Sequence, residues 1–467
     1  MSDCISELPD GVLSYLLTMI TMKDLLKTSI LSKRWCDLWG LRTNLQFDTI
    51  NVLGDIEEEL VQTGNLINLD NYRDEFAKRV DQFVNKFPGR MIDSLLVNFC
   101  LNGEQSSIID GWIRFAIERG AGRIDLLFEG VLYGYSHLHN CYKFPLDLLL
   151  EINTSTLKHL RLERCLIIHP SYYDFTPLKN LRFLSLSDVK VDEILLESLL
   201  SNCRLLEELQ LYSCQFEASM PKIASSSLLN LKIIGGYILS KNKTRVQVEF
   251  TLLDCLKLTS LEYHAYGLDT MTINTPMMKC IDFLVSYEQD LDIFSLSNFP
   301  QLDSISIDMS STVITSLKIT QPLKHLKQLN LSLLWDGSIS KEADYSLLWI
   351  LNILQASPLL QKLSIMLTNP KFLRKQKDIG DIERFSHQEV KVIELGGCVG
   401  NWFEIEFVIN ILKYVPKLEQ MVLSPCWKEH GTLDWISDPV CFQSARQRIS
   451  EKLQREQVVA REKIVLV

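Results

Sequence analysis

The sequence lacks the long apolar stretches that membrane proteins need. No run of about 18 apolar residues, the least that a membrane-spanning helix requires, occurs among its 467 residues. Its first residues, MSDCISELPD, have no basic segment and no apolar run, so the pattern of a secretory signal is missing. Twelve cysteines are scattered without a CxxC pair, which favours free thiols in a reducing compartment. We therefore expect a cytoplasmic or nuclear protein with no membrane partner.

Positive charge is also scarce. The chain has 48 Lys and Arg against 58 Asp and Glu, a net charge of -10, whereas a nucleic-acid surface normally needs a basic footprint. Basic residues do gather between 446 and 463, but Glu451, Glu456 and Glu462 interrupt them. This mixture predicts a solvated helix in the tail of residues 426–467, and no nucleic-acid partner is expected.

Motifs for catalysis and metal binding are missing as well. The chain has no phosphate-binding loop, no HExxH, no GxSxG and no kinase motif set, so we expect neither an enzyme nor a cofactor. His137, His139 and Cys141 lie close together in sequence. Zinc needs four ligands, however, and no complementary pair follows nearby, so no metal site is predicted.

The first 48 residues carry the pattern of three short amphipathic helices. Pro9 and Asp10 predict the start of the first helix, and Thr21, with Asp24 in the capping-box position, predicts the start of the second. Apolar residues recur at helical spacing along all three segments. So short a unit buries too little apolar surface to be stable alone, and a partner is therefore predicted.

The stretches ISELPDGVLSYLL and TSILSKRWCDLWGLRTNLQFD in this segment closely resemble the box of plant-type F-box proteins. The resemblance implies that residues 1–48 bind a Skp-type adaptor, which connects them to a cullin-RING ubiquitin ligase. The implied adaptor-facing residues are Leu8, Pro9, Val12, Leu13, Leu16, Leu25 and Leu26. Three further residues, Leu31, Trp35 and Trp39, are expected closer to the core of the helical bundle.

Residues 49–90 are predicted to contain a linker and then a helix. The polar, acidic stretch after Asp48 predicts a loop. From about Arg73 the apolar residues return at helical spacing, and Pro88 and Gly89 end the pattern. The predicted buried face consists of Phe76, Val80, Phe83, Val84 and Phe87.

Residues 91–425 repeat one unit, an apolar-x-x-apolar-x-apolar strand. Successive units lie 20 to 36 residues apart, a spacing typical of leucine-rich repeats, whose short strands form one parallel sheet. The predicted fold is therefore α/β, an F-box followed by a leucine-rich-repeat solenoid with a concave parallel sheet and helical or irregular convex returns. The thirteen anchors are Ile92, Ala121, Leu157, Leu181, Leu206, Leu228, Leu258, Met278, Leu302, Leu326, Leu360, Val390 and Leu418.

The last repeats carry a second resemblance. Residues 389–425, EVKVIELGGCVGNWFEIEFVINILKYVPKLEQMVLSP, are similar to the FBD region at the C-terminus of many plant F-box proteins with leucine-rich repeats. Residues 91–388 are then the remaining repeats. Cys165, Cys214 and Cys398 occupy the Asn/Cys position of their repeats, where we expect each side chain to serve the backbone at the turn after the strand.

The two resemblances together imply a substrate-recognition subunit of an SCF-type (Skp-cullin-F-box) ubiquitin ligase. Alternatives are an F-box-type sensor of a small ligand and a leucine-rich-repeat scaffold outside any ligase. In each repeat strand the residues between the apolar positions should line the concave sheet, where we expect the unknown target protein to bind. The target-binding candidates on this face are Arg161, Phe183, Glu208, Gln210, Tyr212, Glu262 and His264.

Overall fold

A computed structural model describes most of the chain, in two compact units, Met1–Cys255 and Leu256–Val467. The described residues are 7–21, 24, 39–54, 66–128, 140–151, 154–168, 175–217, 221–239, 245–248, 250–264, 275–285, 299–310, 322–334, 346–373, 375, 377–378, 385–428, 435–436, 439–456 and 460–467. Among them, no helix combines the length and the apolar content needed to cross a membrane.

The first unit contains six described helices and fifteen strands. The helices are α1 Asp10–Thr18, α2 Thr49–Val52, α3 Leu66–Lys86, α4 Ser106–Glu118, α5 Leu146–Glu151 and α6 Glu193–Asn202. The strands are β1 Asn44–Asp48, β2 Ser94–Asn98, β3 Arg123–Leu127, β4 Tyr142–Pro145, β5 His159–Glu163, β6 Cys165–Ile168, β7 Phe183–Ser187, β8 Lys190–Val191, β9 Glu208–Tyr212, β10 Gln215–Phe216, β11 Lys222–Ala224, β12 Asn230–Ile234, β13 Tyr237–Leu239, β14 Arg245–Gln247 and β15 Thr251–Leu253.

The main sheet of this unit is parallel throughout, in the order β1-β2-β3-β5-β7-β9-β12. Each of its strands alternates buried apolar residues with outward-facing ones, as a half-buried sheet requires. In the best repeat, for example, Leu209 and Leu211 of β9 are at most 1% exposed. The outward residues of neighbouring strands are paired in register, so they form continuous rows across the sheet.

The second unit contains three described helices and ten strands. The helices are α7 Ile350–Ala356, α8 Trp402–Tyr414 and α9 Pro439–Arg455. The strands are β16 Ser260–His264, β17 Cys280–Val285, β18 Ser304–Ser310, β19 Gln328–Leu334, β20 Lys362–Thr368, β21 Val392–Gly396, β22 Gln420–Ser424, β23 Trp427–Lys428, β24 Trp435–Ile436 and β25 Ile464–Leu466. Its main sheet is also parallel, in the order β16-β17-β18-β19-β20-β21-β22-β25.

All thirteen predicted repeat anchors are buried, none more than 3% exposed, and each precedes a strand of a main sheet. The sheets also extend past the predicted repeats at both ends. Residues 44–48, predicted to belong to the F-box, form β1, and part of the tail predicted as helical forms β25, which pairs with β22. The predicted loop after Asp48 begins instead with α2, because the Asp48 side chain accepts a hydrogen bond from the Asn51 backbone N–H at 2.8 Å.

The helix predicted from Arg73 is present as α3, which begins earlier, at Leu66. Its predicted face is buried, with Phe76 and Val80 at 0% exposure. The Phe76 ring stacks on Phe99 with ring centroids 4.5 Å apart, and Phe83 meets Trp39 edge-on at 5.0 Å. The first contact joins α3 to the repeats, and the second joins α3 to the segment predicted as the F-box.

Several returns differ from the helical or irregular form that the sequence predicts. In the first unit, short strands of the returns form a second sheet in the order β14-β13-β10-β8-β6-β4. The residue directly after the main-sheet strand has a positive φ in six repeats, among them Arg164 (φ 51°), Asp188 (φ 51°) and Ser213 (φ 48°). This left-handed residue turns the chain out of the main sheet, so the next residues reach a neighbouring return. At Gly397 (φ 69°) a Cβ would lie 2.0 Å from the Leu367 carbonyl oxygen, so glycine is needed there.

The nine cysteines whose side chains are described carry free thiols. Cys214 serves the backbone as predicted, since its Sγ lies 3.3 Å from the Leu186 carbonyl oxygen. Cys398 differs, because its Sγ donates to the side chain of Glu404 at 3.1 Å. Burial raises the pKa of both Cys203 and Cys214 to about 12, so neither forms a reactive thiolate at neutral pH.

We expect alkylation of the native protein at neutral pH to spare the six buried thiols and to modify the exposed Cys280. The buried six are Cys100, Cys165, Cys203, Cys214, Cys255 and Cys398. After unfolding without a reductant, mass spectrometry should find all twelve cysteines of the chain alkylated. A stable internal disulfide, or rapid labelling of Cys214 in the native state, would contradict this prediction.

Candidate protein-recognition surfaces

Helix α1 presents a stripe of exposed apolar side chains. Val12 is 46% exposed, Tyr15 62%, Leu16 40% and Met19, just after the last helical residue, 64%. Because these positions follow the i, i+3, i+4, i+7 spacing, the four side chains lie on one face of the helix. We call these four residues the α1 stripe. Large apolar side chains exposed side by side are typical of a surface that binds another protein.

The structure describes five of the seven residues that are predicted to face the adaptor. Val12 and Leu16 belong to the α1 stripe, Pro9 is exposed at the start of α1, and Leu8 is half-buried. Leu13 differs from the prediction, because it is only 1% exposed and packs inside the unit on the other side of the helix. Leu25 and Leu26 lie outside the described residues. Tyr15 and Met19 lie on the same exposed face, and their spacing from Val12 could have indicated this from the sequence.

The other F-box predictions are partly within the described residues. The Asp24 backbone N–H donates to Thr21 Oγ1 at 3.2 Å, and the Thr21 hydroxyl donates to Asp24 Oδ2 at 3.0 Å. This is the first half of the expected capping box. Trp39 is 6% exposed and packs on Phe83, whereas Leu31 and Trp35 lie outside the described residues.

In the first unit, five predicted target-binding residues lie on three adjacent strands. Strand pairing places His159, Phe183 and Glu208 in one row, Arg161, Ser185 and Gln210 in the next, and Glu163, Ser187 and Tyr212 in the third. We call these nine residues the β5–β9 surface. Adjacent strands are about 4.8 Å apart, so a bound segment of a target could contact all three rows at once.

A buried aspartate orients one edge of the β5–β9 surface. Asp125 of β3 is 1% exposed, and its Oδ1 lies 3.0 Å from His159 Nε2 while its Oδ2 accepts from Arg123 Nε. Burial opposes ionisation, but the hydrogen bonds from His159 and Arg123 lower the pKa of Asp125 below its ordinary value. The His159 ring stacks on Phe183, with centroids 3.9 Å apart and planes 3° apart. The pair thus forms an aromatic platform, and no sequence pattern indicates that Asp125 holds it.

In the second unit, the outward face of β16–β18 is acidic. His264 Nε2 lies 3.0 Å from Asp282 Oδ1. Burial lowers the pKa of His264, but the hydrogen bond and charge of Asp282, with the charges of Glu262 and Asp308, outweigh burial and raise it above its ordinary value. The predicted residues Glu262 and His264 therefore share one electrostatic cluster. Glu262 and His264 are both half-buried on this face.

Among the described residues, no group of three or more His, Cys, Asp or Glu side chains has the arrangement of a metal site. Of His137, His139 and Cys141, which lie close together in sequence, only Cys141 is among the described residues. The Cys141 thiol is half-buried, and burial raises its pKa.

Comparison with known proteins gives a consistent set of relatives. A model of the leucine-rich-repeat domain described as At1g61320/AtMIF1 matches residues 91–465. The F-box/FBD/LRR-repeat protein At1g13570 of Arabidopsis thaliana is 25% identical over 436 residues, which cover 90% of this chain and 91% of that protein. The putative F-box protein At1g49610 of the same plant is 26% identical over 375 residues, or 78% of this chain and 84% of that protein.

A third relative carries the FBD name. The putative FBD-associated F-box protein At3g50710 of Arabidopsis thaliana is 25% identical over 382 residues, covering 78% of this chain and 76% of that protein. Among solved structures, the crystal structure of the TLR13-ssRNA13 complex aligns with 71% of this chain and 52% of that chain, at 15% identity and a TM-score of 0.33. That score is too low to carry an argument.

Proposed function

Because the chain belongs to the plant F-box/leucine-rich-repeat proteins, with a repeat domain of the At1g61320/AtMIF1 family, we propose that it is the substrate-recognition subunit of an SCF-type ubiquitin ligase. The observation that carries the proposal is the α1 stripe. It lies inside the F-box resemblance, where a Skp-type adaptor is expected to bind. Its four exposed side chains supply the apolar surface that such binding buries.

The proposed contribution to ubiquitin transfer is proximity. The adaptor and a cullin-RING ligase would hold the F-box end, while the outward faces of the repeat strands hold the target protein. Tethering raises the effective concentration of a target lysine near the ubiquitin-charged enzyme, and no catalytic residue of this chain is required. In this account the chain is not itself an enzyme, and it acts in the cytoplasm, the nucleus or both.

The mixed polarity of the repeat surfaces supports a protein as the bound target. The β5–β9 surface combines an aromatic platform, a further, half-buried aromatic residue at Tyr212 and several charged groups. Aromatic and Arg side chains surrounded by polar groups are enriched at the energetic centres of protein–protein interfaces. A sensor of a small ligand would need an enclosed pocket, and no observation on the described strands favours one.

Replacing Leu16 by alanine should weaken binding of a purified Skp-type adaptor roughly tenfold or more, since a buried leucine side chain contributes about 1–3 kcal/mol. The affinity can be measured by isothermal titration calorimetry with the full chain. Ile194 in α6 is a matched control, because it is 63% exposed but lies away from α1. If Leu16→Ala and Ile194→Ala bind the adaptor equally well, the α1 stripe is not the adaptor surface.

A further inference from the structure

One row of the β5–β9 surface carries two buried polar atoms, Arg161 Nε and Ser185 Oγ, that have no hydrogen-bond partner among the described residues. Strand pairing places Arg161 of β5 beside Ser185 of β7, Ser185 beside Gln210 of β9, and Gln210 beside Lys232 of β12. From Arg161 to Lys232 this row contains two cations and two neutral polar side chains, and no carboxylate. We call these four residues the middle row.

Ser185 is the less usual of the two groups. It faces outward by strand alternation, yet it is 0% exposed. Its Oγ has no hydrogen-bond partner within the part of the chain that the structure describes. A buried hydroxyl without a partner costs free energy, and most such groups in proteins are paired.

Arg161 is the second group. Its Nε is buried and also lacks a hydrogen-bond partner among the described residues, although the side chain as a whole is 40% exposed. Its ion pair with Glu163 spans 3.9 Å from Nη2 to Oε2, which is too long for a hydrogen bond. A guanidinium presents five donors in a planar fork that suits a carboxylate or a phosphate.

Two neighbouring carboxylates, Asp125 and Glu208, have partners other than Arg161. Asp125, the neighbour of Arg161 on β3, is held by Arg123 and His159. Glu208 accepts a hydrogen bond from Gln210 Nε2, and Glu163 is 7% exposed beside Arg161. The unused capacity of this surface is therefore on the donor side, and what fits it is a group that accepts hydrogen bonds.

We propose that Arg161 and Ser185, with Gln210 and Lys232 along the same row, form a subsite that receives an oxyanion of the target protein. The oxyanion is either the carboxylate of an acidic side chain or the phosphate of a phosphorylated residue. The inference rests on the proposed function, because it specifies the chemistry of the target that the repeat surface recognises. The aromatic platform of His159 and Phe183 lies in the row alongside and would pack against the residue that carries the oxyanion.

The test uses the full chain and three fluorescein-labelled pools of degenerate peptides, identical except for a central phosphoserine, glutamate or glutamine. Fluorescence anisotropy should show binding of the phosphoserine pool, the glutamate pool or both at least about tenfold tighter than binding of the glutamine pool. Binding of phosphoserine alone identifies a phosphate as the source, and binding of both pools includes the carboxylate. Equal affinity for all three pools, or no binding of any pool, would overturn the proposal.

Three variants assign the effect to the subsite. Arg161→Gln should remove the preference for the anionic pool, and Ser185→Ala should weaken it severalfold. Arg204→Gln makes the same charge change in the turn before β9, off the sheet face, and should leave binding unchanged. If Arg161→Gln loses no more affinity than Arg204→Gln, the subsite does not exist.

The thermal stability of Ser185→Ala distinguishes a binding role of Ser185 from a structural role. Because the Oγ has no partner to lose among the described residues, the melting temperature should stay equal to that of the wild type or rise. A clear fall in the melting temperature would mean that Ser185 is a structural residue.

Adaptor binding, measured separately, should be unchanged in Arg161→Gln. If the chain binds the anionic peptides but not the adaptor, only the proposed ligase role is refuted. If it binds the adaptor but shows no preference for the anionic peptides, only the subsite is refuted.

Discussion

Replacing Glu404 by alanine should lower the free energy of unfolding of the second unit by about 3 kcal/mol or more, since it leaves several buried donors unpaired. Glu404 is 0% exposed at the start of α8. Its Oε2 accepts from the backbone N–H groups of Gly400 at 2.7 Å and Asn401 at 3.0 Å, and its Oε1 accepts from Asn401 Nδ2 at 2.8 Å. Asn401 in turn bonds the carbonyl oxygen of Lys371, so the same network holds the segment after β20.

Urea unfolding followed by tryptophan fluorescence measures this loss. Glu404→Gln should cost less than alanine because it keeps one acceptor oxygen. Glu419→Ala is the control, since its side chain is 65% exposed and its ion pair with Lys391 is expected to contribute less than about 1 kcal/mol. Equal stability of Glu404→Ala and Glu419→Ala would show that the network does not hold α8 in place.

The network also predicts a dependence on pH. Burial raises the pKa of Glu404 above its ordinary value of 4.5, although its hydrogen bonds oppose the shift. The folded state therefore holds this proton more tightly than the unfolded state. Between the folded-state pKa and 4.5, protonation of Glu404 favours folding, so the advantage of the wild type over Glu404→Gln should grow as the pH falls. A gap that shrinks on acidification would contradict the raised pKa.

Reversing charge on the outward strand faces should abolish capture of the target while leaving the adaptor bound. Arg161→Glu places a carboxylate in the middle row, where it repels the proposed oxyanion, and Glu262→Lys places a cation within the acidic cluster of β16–β18. Like charges or mismatched charges at an interface cost several kcal/mol, so the loss of target should exceed about a hundredfold. Proximity labelling under proteasome inhibition would compare the proteins captured by each variant with those captured by the wild type.

Glu197→Lys provides the control for these reversals, because Glu197 lies in α6 and not on a main sheet. We expect the control to capture the wild-type set of proteins and the two strand variants to capture a depleted set. If the strand variants keep their captured proteins while substitutions on the return helices remove them, the recognition surface lies on the other face of the repeats.

The repeat architecture could be predicted because its signal is periodic. Each of the thirteen anchors sets the register of one strand, so even the weak units at Ala121 and Met278 are buried as expected. The resemblance to plant F-box proteins with leucine-rich repeats and an FBD region is confirmed by the matching family and relatives. The face of the sheet on which each side chain lies could also be predicted, because strand alternation places Arg161, Phe183 and Tyr212 on one surface.

The missed features depend on contacts between residues distant in sequence. β8 and β10 contain two residues each, too few to show a period, and they exist because neighbouring returns pair with them. β25 likewise depends on pairing with β22 in a segment whose composition favours helix. The link from Asp125 to His159 spans 34 residues, and only strand register brings the two together. The exposure of Tyr15 and Met19 depends on which side of α1 the rest of the unit covers.

The proposed coupling of a target to a ubiquitin ligase requires that the F-box holds the ligase core, and co-purification of that core tests this requirement. The full chain, its Val12→Glu/Leu16→Glu variant and the control Ile194→Glu would each be expressed in plant cells and captured, and the bound Skp-type adaptor and cullin quantified. The account predicts that wild type and Ile194→Glu retain both proteins, and that the double variant loses both because two charges cannot be buried in an apolar contact. Retention of adaptor and cullin by the double variant, or their absence from the wild type, would contradict it.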